Sequence, residues 1–167
     1  MPKSLIVDHA PVLLWMADAS ASCVFFNQRW LEFRGRTLQE ERGDGWIDGV
    51  HSDDLRHVQQ VYGAGFSLRE PFSMEFRLRR ADGAYRWIHN QATPRFEAAG
   101  TFAGFVGAGF DVTERYEAYR ALTRLTDELQ AQRLAAGELL ARLSHDLRTP
   151  LNSIIGSADR LHRGELG

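Results

Sequence analysis

Cysteine is nearly absent from this chain of 167 residues, in which Cys23 is the single thiol. One cysteine cannot form an intrachain disulfide, and it cannot supply the paired ligands of a cysteine-based zinc site. Such sparing use of cysteine favours a reducing compartment. We predict no metal site in this chain.

The chain also lacks a strong charge of either sign and a long hydrophobic run. Its formal net charge is −2, so the composition points neither to nucleic acid nor to an anionic membrane surface as a partner. The longest apolar run, residues 10–17, is far too short to span a bilayer. Asp8, His9 and Asp18 interrupt the pattern of a secretion signal around it. We therefore predict a cytoplasmic protein that binds neither membrane nor nucleic acid.

What the chain does contain changes character near residue 113. Hydrophobic residues make up 44% of it and charged residues 25%, as in folded soluble proteins. Short apolar or alternating runs rich in aromatics precede residue 113, whereas two tyrosines are the only aromatics after it. We take this shift as a domain boundary. The predicted parts are an N-terminal lead (1–9), a first domain (10–113), a long helix (114–140) and a final helical segment (141–167).

Hydrophobic alternation and turn residues predict an α+β fold for the first domain. Strands are expected at 12–18, 22–27, 72–80, 84–96 and 101–113. Helices are expected at 28–35 and 52–65. Ser52 is the expected cap of the second helix, Gly83 supplies the positive φ of a hairpin turn, and Pro94 indicates a strand edge or end.

Four motifs, in their order and spacing, resemble those of the PAS sensor family. They are "FFNQRWLEF" after the second strand, "WIDGVHSDD" (46–54), "RRADGAYRWI" (79–88) across the hairpin, and "DVT" (111–113) at the end. The resemblance covers about residues 10–113. It implies a five-stranded antiparallel sheet with short helices on one face, often enclosing a small-molecule pocket. It also implies that Asp111 and Thr113 help to pass a signal out of the domain.

The sequence of the first domain contains no clear cofactor-binding motif. Flavin-binding members of the family carry a reactive cysteine where this chain has Gln28, so a flavin adduct is not expected. The glycines of 104–111 run in the reverse of the dinucleotide-binding order. His57 lies where haem-binding members take an axial ligand, yet a single histidine on an amphipathic helix is usually a surface residue. We expect neither haem nor flavin, and a core filled by Trp15, Phe25, Phe26, Trp30, Trp46, Phe76 and Trp87.

Beyond residue 113 the pattern is that of one long helix with a narrow apolar stripe. Its residues follow one another at alternating steps of three and four, which is the a/d spacing of a coiled coil. This seam consists of Leu122, Leu125, Leu129, Gln132, Ala136, Leu139 and Leu143. Because one helix cannot bury so narrow a stripe, we predict a parallel dimeric coiled coil with a second copy of the chain. The alternative is that the helix folds back onto its own domain.

The spacing of the seam changes next to His145. The seam continues past Leu143 as Leu147, Leu151, Ile154, Ala158 and Leu161. The two successive steps of four around Leu147 form a stutter that locally unwinds a supercoil. His145 lies about 200° from both Leu143 and Leu147 around the helix, so it points away from the seam. Pro150 has no backbone N–H to donate to the carbonyl of Asp146, so one helical hydrogen bond is lost and a bend is expected just after the histidine. The imidazole is therefore placed to act as a nucleophile.

The stretch "HDLRTPLNSIIG" (145–156) closely resembles the H-box of sensor histidine kinases. By this resemblance His145 is the phosphoacceptor, which takes the γ-phosphoryl group of ATP and passes it to a response-regulator aspartate. Asp146 would hydrogen-bond the imidazole and assist proton removal, in place of the commoner glutamate. Thr149 matches a position that in many members helps to orient water for phosphatase action. A neutral imidazole is nucleophilic near pH 7, and a carboxylate on its other nitrogen sets the tautomer.

The chain shows none of the ATP-binding patterns of a kinase, neither a P-loop nor an asparagine box with a "D-x-G-x-G" stretch. Phosphoryl transfer needs Mg²⁺ and positioned charges, so ATP and Mg²⁺ belong to a separate catalytic domain, and the chain alone is expected to be inactive. We predict the sensory and phosphoacceptor part of a dimeric histidine kinase, with an ATP-binding domain and a receiver domain as partners. The alternative is a stand-alone PAS interaction module with a vestigial H-box.

Overall fold

The computed structural model describes residues 7–8 and 10–162. Most of the predicted N-terminal lead (1–9) and residues 163–167 of the predicted final segment lie outside the described residues. The chain divides into two compact units, Met1–Glu117 and Ala118–Gly167. The first holds a sheet with short helices, and the second is helical.

Five antiparallel strands form one sheet in the order β2-β1-β5-β4-β3. The strands are β1 (Leu13–Ala17), β2 (Cys23–Phe26), β3 (Phe72–Arg79), β4 (Tyr85–Phe96) and β5 (Phe102–Asp111). Each lies within a segment predicted as a strand, so the α+β class and the five-stranded antiparallel sheet are confirmed. Strand β3 shows why the prediction works: its apolar residues alternate along the sequence, and Met74, Phe76 and Leu78 are buried while the residues between them are not.

Strand β4 is an interior strand that extends beyond the end of its neighbour β3. Pairing with β3 ends where Phe72 lies opposite Ala92, whereas pairing with β5 continues to Phe96. Pro94 therefore lies beyond the end of β3, where a residue without an N–H is tolerated. The predicted strand edge at Pro94 is confirmed locally, although β4 as a whole is not an edge strand.

The helices that follow the first hairpin are short, and the last helix is long. They are α1 (Gln28–Arg34), α2 (Leu38–Glu41), a 3₁₀ helix (Gly45–Gly49), α3 (Leu55–Leu68) and α4 (Thr113–His162). Neither α2 nor the 3₁₀ helix is predicted from the sequence, although Thr37 and Glu40 form a capping box with the visible T-x-x-E signature. No described helix is both long and apolar enough to cross a membrane.

Helix α3 begins later than predicted. Asp54, and not Ser52, occupies its N-cap position. The Asp54 carboxylate makes no capping bond, because it accepts hydrogen bonds from the backbone N, Nε and Nη2 of Arg77 on β3. The Arg77 side chain is also the main reason that the pKa of Asp54 lies below its usual value. The predicted cap is therefore wrong, since a contact with the sheet fixes where the helix starts.

The core joins the inner face of the sheet to α1, the 3₁₀ helix and α3. Its buried hydrophobic residues include Leu13, Trp15, Phe26, Trp30, Trp46, Val58, Met74, Phe76, Leu78, Ile88 and Phe105. Phe25 and Trp87, predicted in the core, are only half-buried. Successive strand residues point to opposite faces, and each of the two adjoins a buried neighbour, Phe26 or Ile88. The core prediction is therefore wrong for Phe25 and Trp87.

Replacing Gly104 by alanine is expected to destabilise the first unit by about 2–4 kcal/mol. Gly104 has a φ of +105°, and an added Cβ would lie 2.0 Å from the carbonyl oxygen of Ala17. The matched control is Gly63→Ala in α3, where an added Cβ meets nothing within 4 Å and better helix propensity raises stability by about 0.5–1 kcal/mol. Urea unfolding of both variants measures the difference. Equal midpoints would contradict the close approach of β5 to β1.

Candidate functional site

His145 lies on helix α4 with its imidazole in solvent. The side chain is 80% exposed, and that of its neighbour Asp146 is 76% exposed. Nδ1 of His145 lies 3.4 Å from Oδ1 of Asp146, at the long end of hydrogen-bonding distances. When Nδ1 holds the proton, Nε2 on the opposite side of the ring carries the lone pair. This tautomer presents Nε2 as a nucleophile.

Helical geometry turns His145 away from the leucine seam. Leu143 precedes it and Leu147 follows it by two residues, each about 200° around the helix. Arg148 and Thr149 follow it by three and four residues, so they lie on its side of the helix, and both are exposed. A protein that reaches the imidazole would therefore meet a guanidinium and a hydroxyl beside it.

Pro150 lies inside α4, which is continuous from Thr113 to His162. A proline nitrogen has no hydrogen to donate, so the carbonyl of Asp146 loses its intrahelical donor. The bend expected after His145 stays a prediction.

The seam of α4 is an exposed apolar stripe. Its leucines Leu125, Leu129 and Leu143 are 54%, 52% and 48% exposed. The stripe continues through Leu147, Leu151, Ile154 and Ala158, which are exposed as well. The side chain of Leu161, the last expected seam residue, lies outside the described residues. Leucines repeated in water at this spacing are typical of a helix that packs against a partner helix.

The two residues expected to transmit a signal meet where β4, β5 and α4 adjoin. Asp111 Oδ2 accepts a hydrogen bond from Arg86 Nε at 2.9 Å, and Thr113 Oγ1 accepts one from the backbone N of Trp87 at 2.8 Å. The backbone N of Thr113 donates to Asp111 Oδ1 at 3.0 Å. Burial raises the pKa of Asp111, but the hydrogen bonds from Thr113 and Arg86 outweigh it and keep this pKa below its usual value. The junction thus ties the start of α4 to the sheet through a carboxylate and a buried hydroxyl.

The interior of the first unit leaves a cavity of about 10 Å³. Its walls are Trp15, Cys23, Phe26, Trp30, Trp46, Tyr62, Met74, Phe76 and Asn90. Such a cavity holds about one water molecule, whereas small-molecule sites usually enclose about 300–1,000 Å³. The residues present therefore do not fit a haem or a flavin in this conformation.

Of the residues that could have bound a cofactor, two lie away from that cavity and the third is unreactive. His57 and Gln28 are exposed, and neither lines the cavity. Cys23 does line it, but burial raises the pKa of its thiol to about 12, which leaves it protonated and inert. Among the described residues, no group of three or more His, Cys, Asp and Glu side chains could hold a metal ion.

Haem is accordingly expected not to bind the purified chain. After incubation with haem, the absorbance spectrum should show no Soret band beyond that of free haem, because the cavity is water-sized and His57 faces solvent. The variant His57→Ala should give the same spectrum. A shifted Soret band that vanishes in His57→Ala would contradict this expectation.

One polar cluster at the start of α4 is missed by sequence reasoning. Glu75 of β3 contacts His89 of β4, together with Arg115 and Tyr116 of α4. The alternation of β3 places Glu75 on the outer face of the sheet, which is visible in the sequence. Its pairing with residues so far along the chain depends on where β5 delivers α4, and no local pattern shows that.

Two family models match the chain. One, described as the PAS fold, matches residues 23–108. The other, the His Kinase A (phospho-acceptor) domain, matches residues 135–167. The second range contains His145 and its neighbours Asp146 and Thr149.

Similar proteins are found in several organisms. The uncharacterized protein y4lL of Sinorhizobium fredii is 39% identical over 138 residues, which are 83% of this chain and 16% of that protein. The peroxide stress-activated histidine kinase mak3 of Schizosaccharomyces pombe is 31% identical over 152 residues, which are 90% of this chain and 6% of that protein. A sensory box histidine kinase/response regulator structure from Burkholderia thailandensis has a TM-score of 0.58 at 24% identity, covering 78% of this chain and 98% of that one. The chain thus spans about a sixth or less of the first two proteins.

Proposed function

The chain belongs to the PAS-fold family and joins that fold to a phospho-acceptor segment of the His Kinase A type, and on this premise we propose that it is the sensory and phosphoacceptor part of a two-component sensor histidine kinase. The PAS unit senses a signal, α4 carries it, and His145 receives the phosphoryl group. One observation carries the proposal: within the phospho-acceptor match, an exposed imidazole lies beside a carboxylate on the side of the helix opposite the seam.

The proposed reaction uses the two nitrogens of His145 differently. The Nε2 lone pair attacks the γ-phosphorus of ATP, a P–N bond forms, and the bond from that phosphorus to the β–γ bridging oxygen breaks to release ADP. The proton on Nδ1 passes to the carboxylate of Asp146. Mg²⁺ and a separate ATP-binding domain stabilise the charge on the phosphoryl oxygens. The phosphoryl group then moves to an aspartate of a receiver domain, and Thr149 is proposed to help orient water when the receiver is dephosphorylated.

We assign three parts to this scheme: the PAS domain (10–113), a coiled-coil signalling helix (114–140) and the first helix of a dimerisation and phosphoacceptor domain (141–167). The proposed dimer is parallel, with the seams of two copies packed together. Glu128 precedes seam residue Leu129, and Arg133 follows seam residue Gln132, positions that pair across parallel helices in register. Asp111 and Thr113 are proposed to pass the signal from the sheet to α4. The cytoplasm is the proposed location, and neither membrane nor nucleic acid is a proposed partner.

The proposal is tested by supplying the ATP-binding domain of a histidine kinase in trans with labelled ATP. Acid-labile label on the chain is the expected result, because a phosphorylated imidazole hydrolyses in acid. The absence of label under conditions where the same domain labels another phosphoacceptor would overturn it. That outcome would favour a stand-alone PAS interaction module whose H-box is vestigial.

A further inference from the structure

Four side chains form a polar clamp between the outer face of the sheet and the first turn of α4. We call Glu75, His89, Arg115 and Tyr116 the Glu75 clamp. The Tyr116 hydroxyl donates a hydrogen bond to Glu75 Oε2. Arg115 Nη2 donates to Glu75 Oε1 at 3.1 Å, and His89 Nδ1 lies 3.1 Å from the same oxygen. One carboxylate thus connects β3 to β4 and to α4.

Neighbouring residues hold the clamp in position. The ring of Tyr116 stacks on Trp87 with centroids 4.7 Å apart and planes at 13°. Gln91 Nε2 lies 2.9 Å from His89 Nε2. If the Gln91 amide donates there, Nδ1 of His89 keeps its proton and donates to Glu75. Chiefly because of the Tyr116 hydrogen bond, the pKa of Glu75 is lowered, so the carboxylate is charged at neutral pH.

The strands that carry the clamp also carry walls of the cavity. Met74 and Phe76 flank Glu75 along β3 and line the cavity, as does Asn90, the neighbour of His89 on β4. Successive residues of a strand point to opposite faces. A backbone shift that repacks Met74 or Phe76 on the inside therefore displaces Glu75 on the outside.

We propose that the Glu75 clamp is a second mechanical link between the sheet and α4, beside the Asp111–Thr113 junction, and that it carries rearrangements of the cavity wall to the first turn of the helix. The contact of the clamp with α4 is independent of the proposed function, whereas the role of the clamp in signalling rests on the proposed function. Glu75 and Tyr116 are positioning residues, because they act on His145 only through α4.

Hydrogen exchange of the backbone amides of residues 113–121 in the full chain tests the hold on the helix. Tyr116→Phe removes the hydroxyl and keeps the ring that stacks on Trp87, and Glu75→Gln removes the charge. Each change should speed exchange by about three- to tenfold. The double variant should exchange no faster than Glu75→Gln alone, because Tyr116→Phe removes a hydrogen bond to the same carboxylate that Glu75→Gln already replaces. Tyr119→Phe, at a 71% exposed tyrosine one turn on, is the control and should exchange like the wild type.

Labelling of His145 in trans tests the part in signalling. Tyr116→Phe should change the labelling rate at least about fivefold, the size of a typical coupling between two sites, and Tyr119→Phe should leave it unchanged. Wild-type exchange in every variant would overturn the clamp. Faster exchange with unchanged labelling would leave the clamp structural and overturn its signalling role. If the wild-type chain takes no label, the proposed function and the signalling role fail together, and exchange still decides the clamp.

Discussion

Replacing His145 by glutamine is expected to reduce acid-labile labelling of the chain in trans to background, a loss of at least about 100-fold. A glutamine side chain has no nitrogen lone pair able to attack phosphorus, whereas the neutral imidazole has one. The fold should not change, because the side chain is 80% exposed and glutamine is a good helix former. Labelled ATP, the separate ATP-binding domain and a count of bound phosphate give the measurement.

Two matched variants show whether this loss is specific to the site. His57→Gln makes the same chemical change at another exposed helical histidine, and it should label like the wild type. Asp146→Asn keeps an oxygen near Nδ1 but cannot take up its proton, so labelling should slow by about 10- to 100-fold. Label retained in His145→Gln would show that another residue accepts the phosphoryl group.

Replacing Leu129 by aspartate is expected to weaken the dimer by at least about 100-fold and to give a monomer at micromolar concentration. In a parallel dimer the change places two carboxylates in the middle of the seam, where they lose water without gaining a partner. In the single chain Leu129 is 52% exposed, so the change should leave the monomer's fold intact. Analytical ultracentrifugation over a range of concentrations gives the dissociation constant.

The chain offers a control on the other side of the same helix. Leu134 is also exposed, at 65%, but it lies two residues past Gln132 and so faces away from the seam. Leu134→Asp should leave the dimer unchanged. A monomeric wild type at all concentrations would contradict the coiled coil and favour a helix that folds back. Equal weakening by both variants would contradict the seam as assigned.

The strands could be predicted because their signal is local. In β3, alternate residues are apolar, and burial of Met74, Phe76 and Leu78 follows from that alternation alone. The start of α3 could not be predicted in this way, because the carboxylate of Asp54 accepts hydrogen bonds from Arg77 of β3 and does not cap the helix. Boundaries of that kind depend on contacts between elements that are distant in sequence.

The same distinction separates the phosphoacceptor motif from the Glu75 clamp. His145, Asp146 and Thr149 lie within five consecutive residues of one helix, so a short motif identifies them together. The Glu75 clamp joins three elements and cannot be read from any one segment. The size of the cavity is equally non-local, since it depends on how residues from β1, β2, β3, β4, two helices and the 3₁₀ helix fill the space between them.

The proposed function depends above all on which residue receives the phosphoryl group. Mass spectrometry of the chain labelled in trans, with fragmentation that preserves the P–N bond, locates that group along the sequence. The expected result is a single phosphoryl group on His145, in the peptide that contains residues 143–148. A phosphoryl group on any other residue, or none on this peptide while the ATP-binding domain is active, would contradict it.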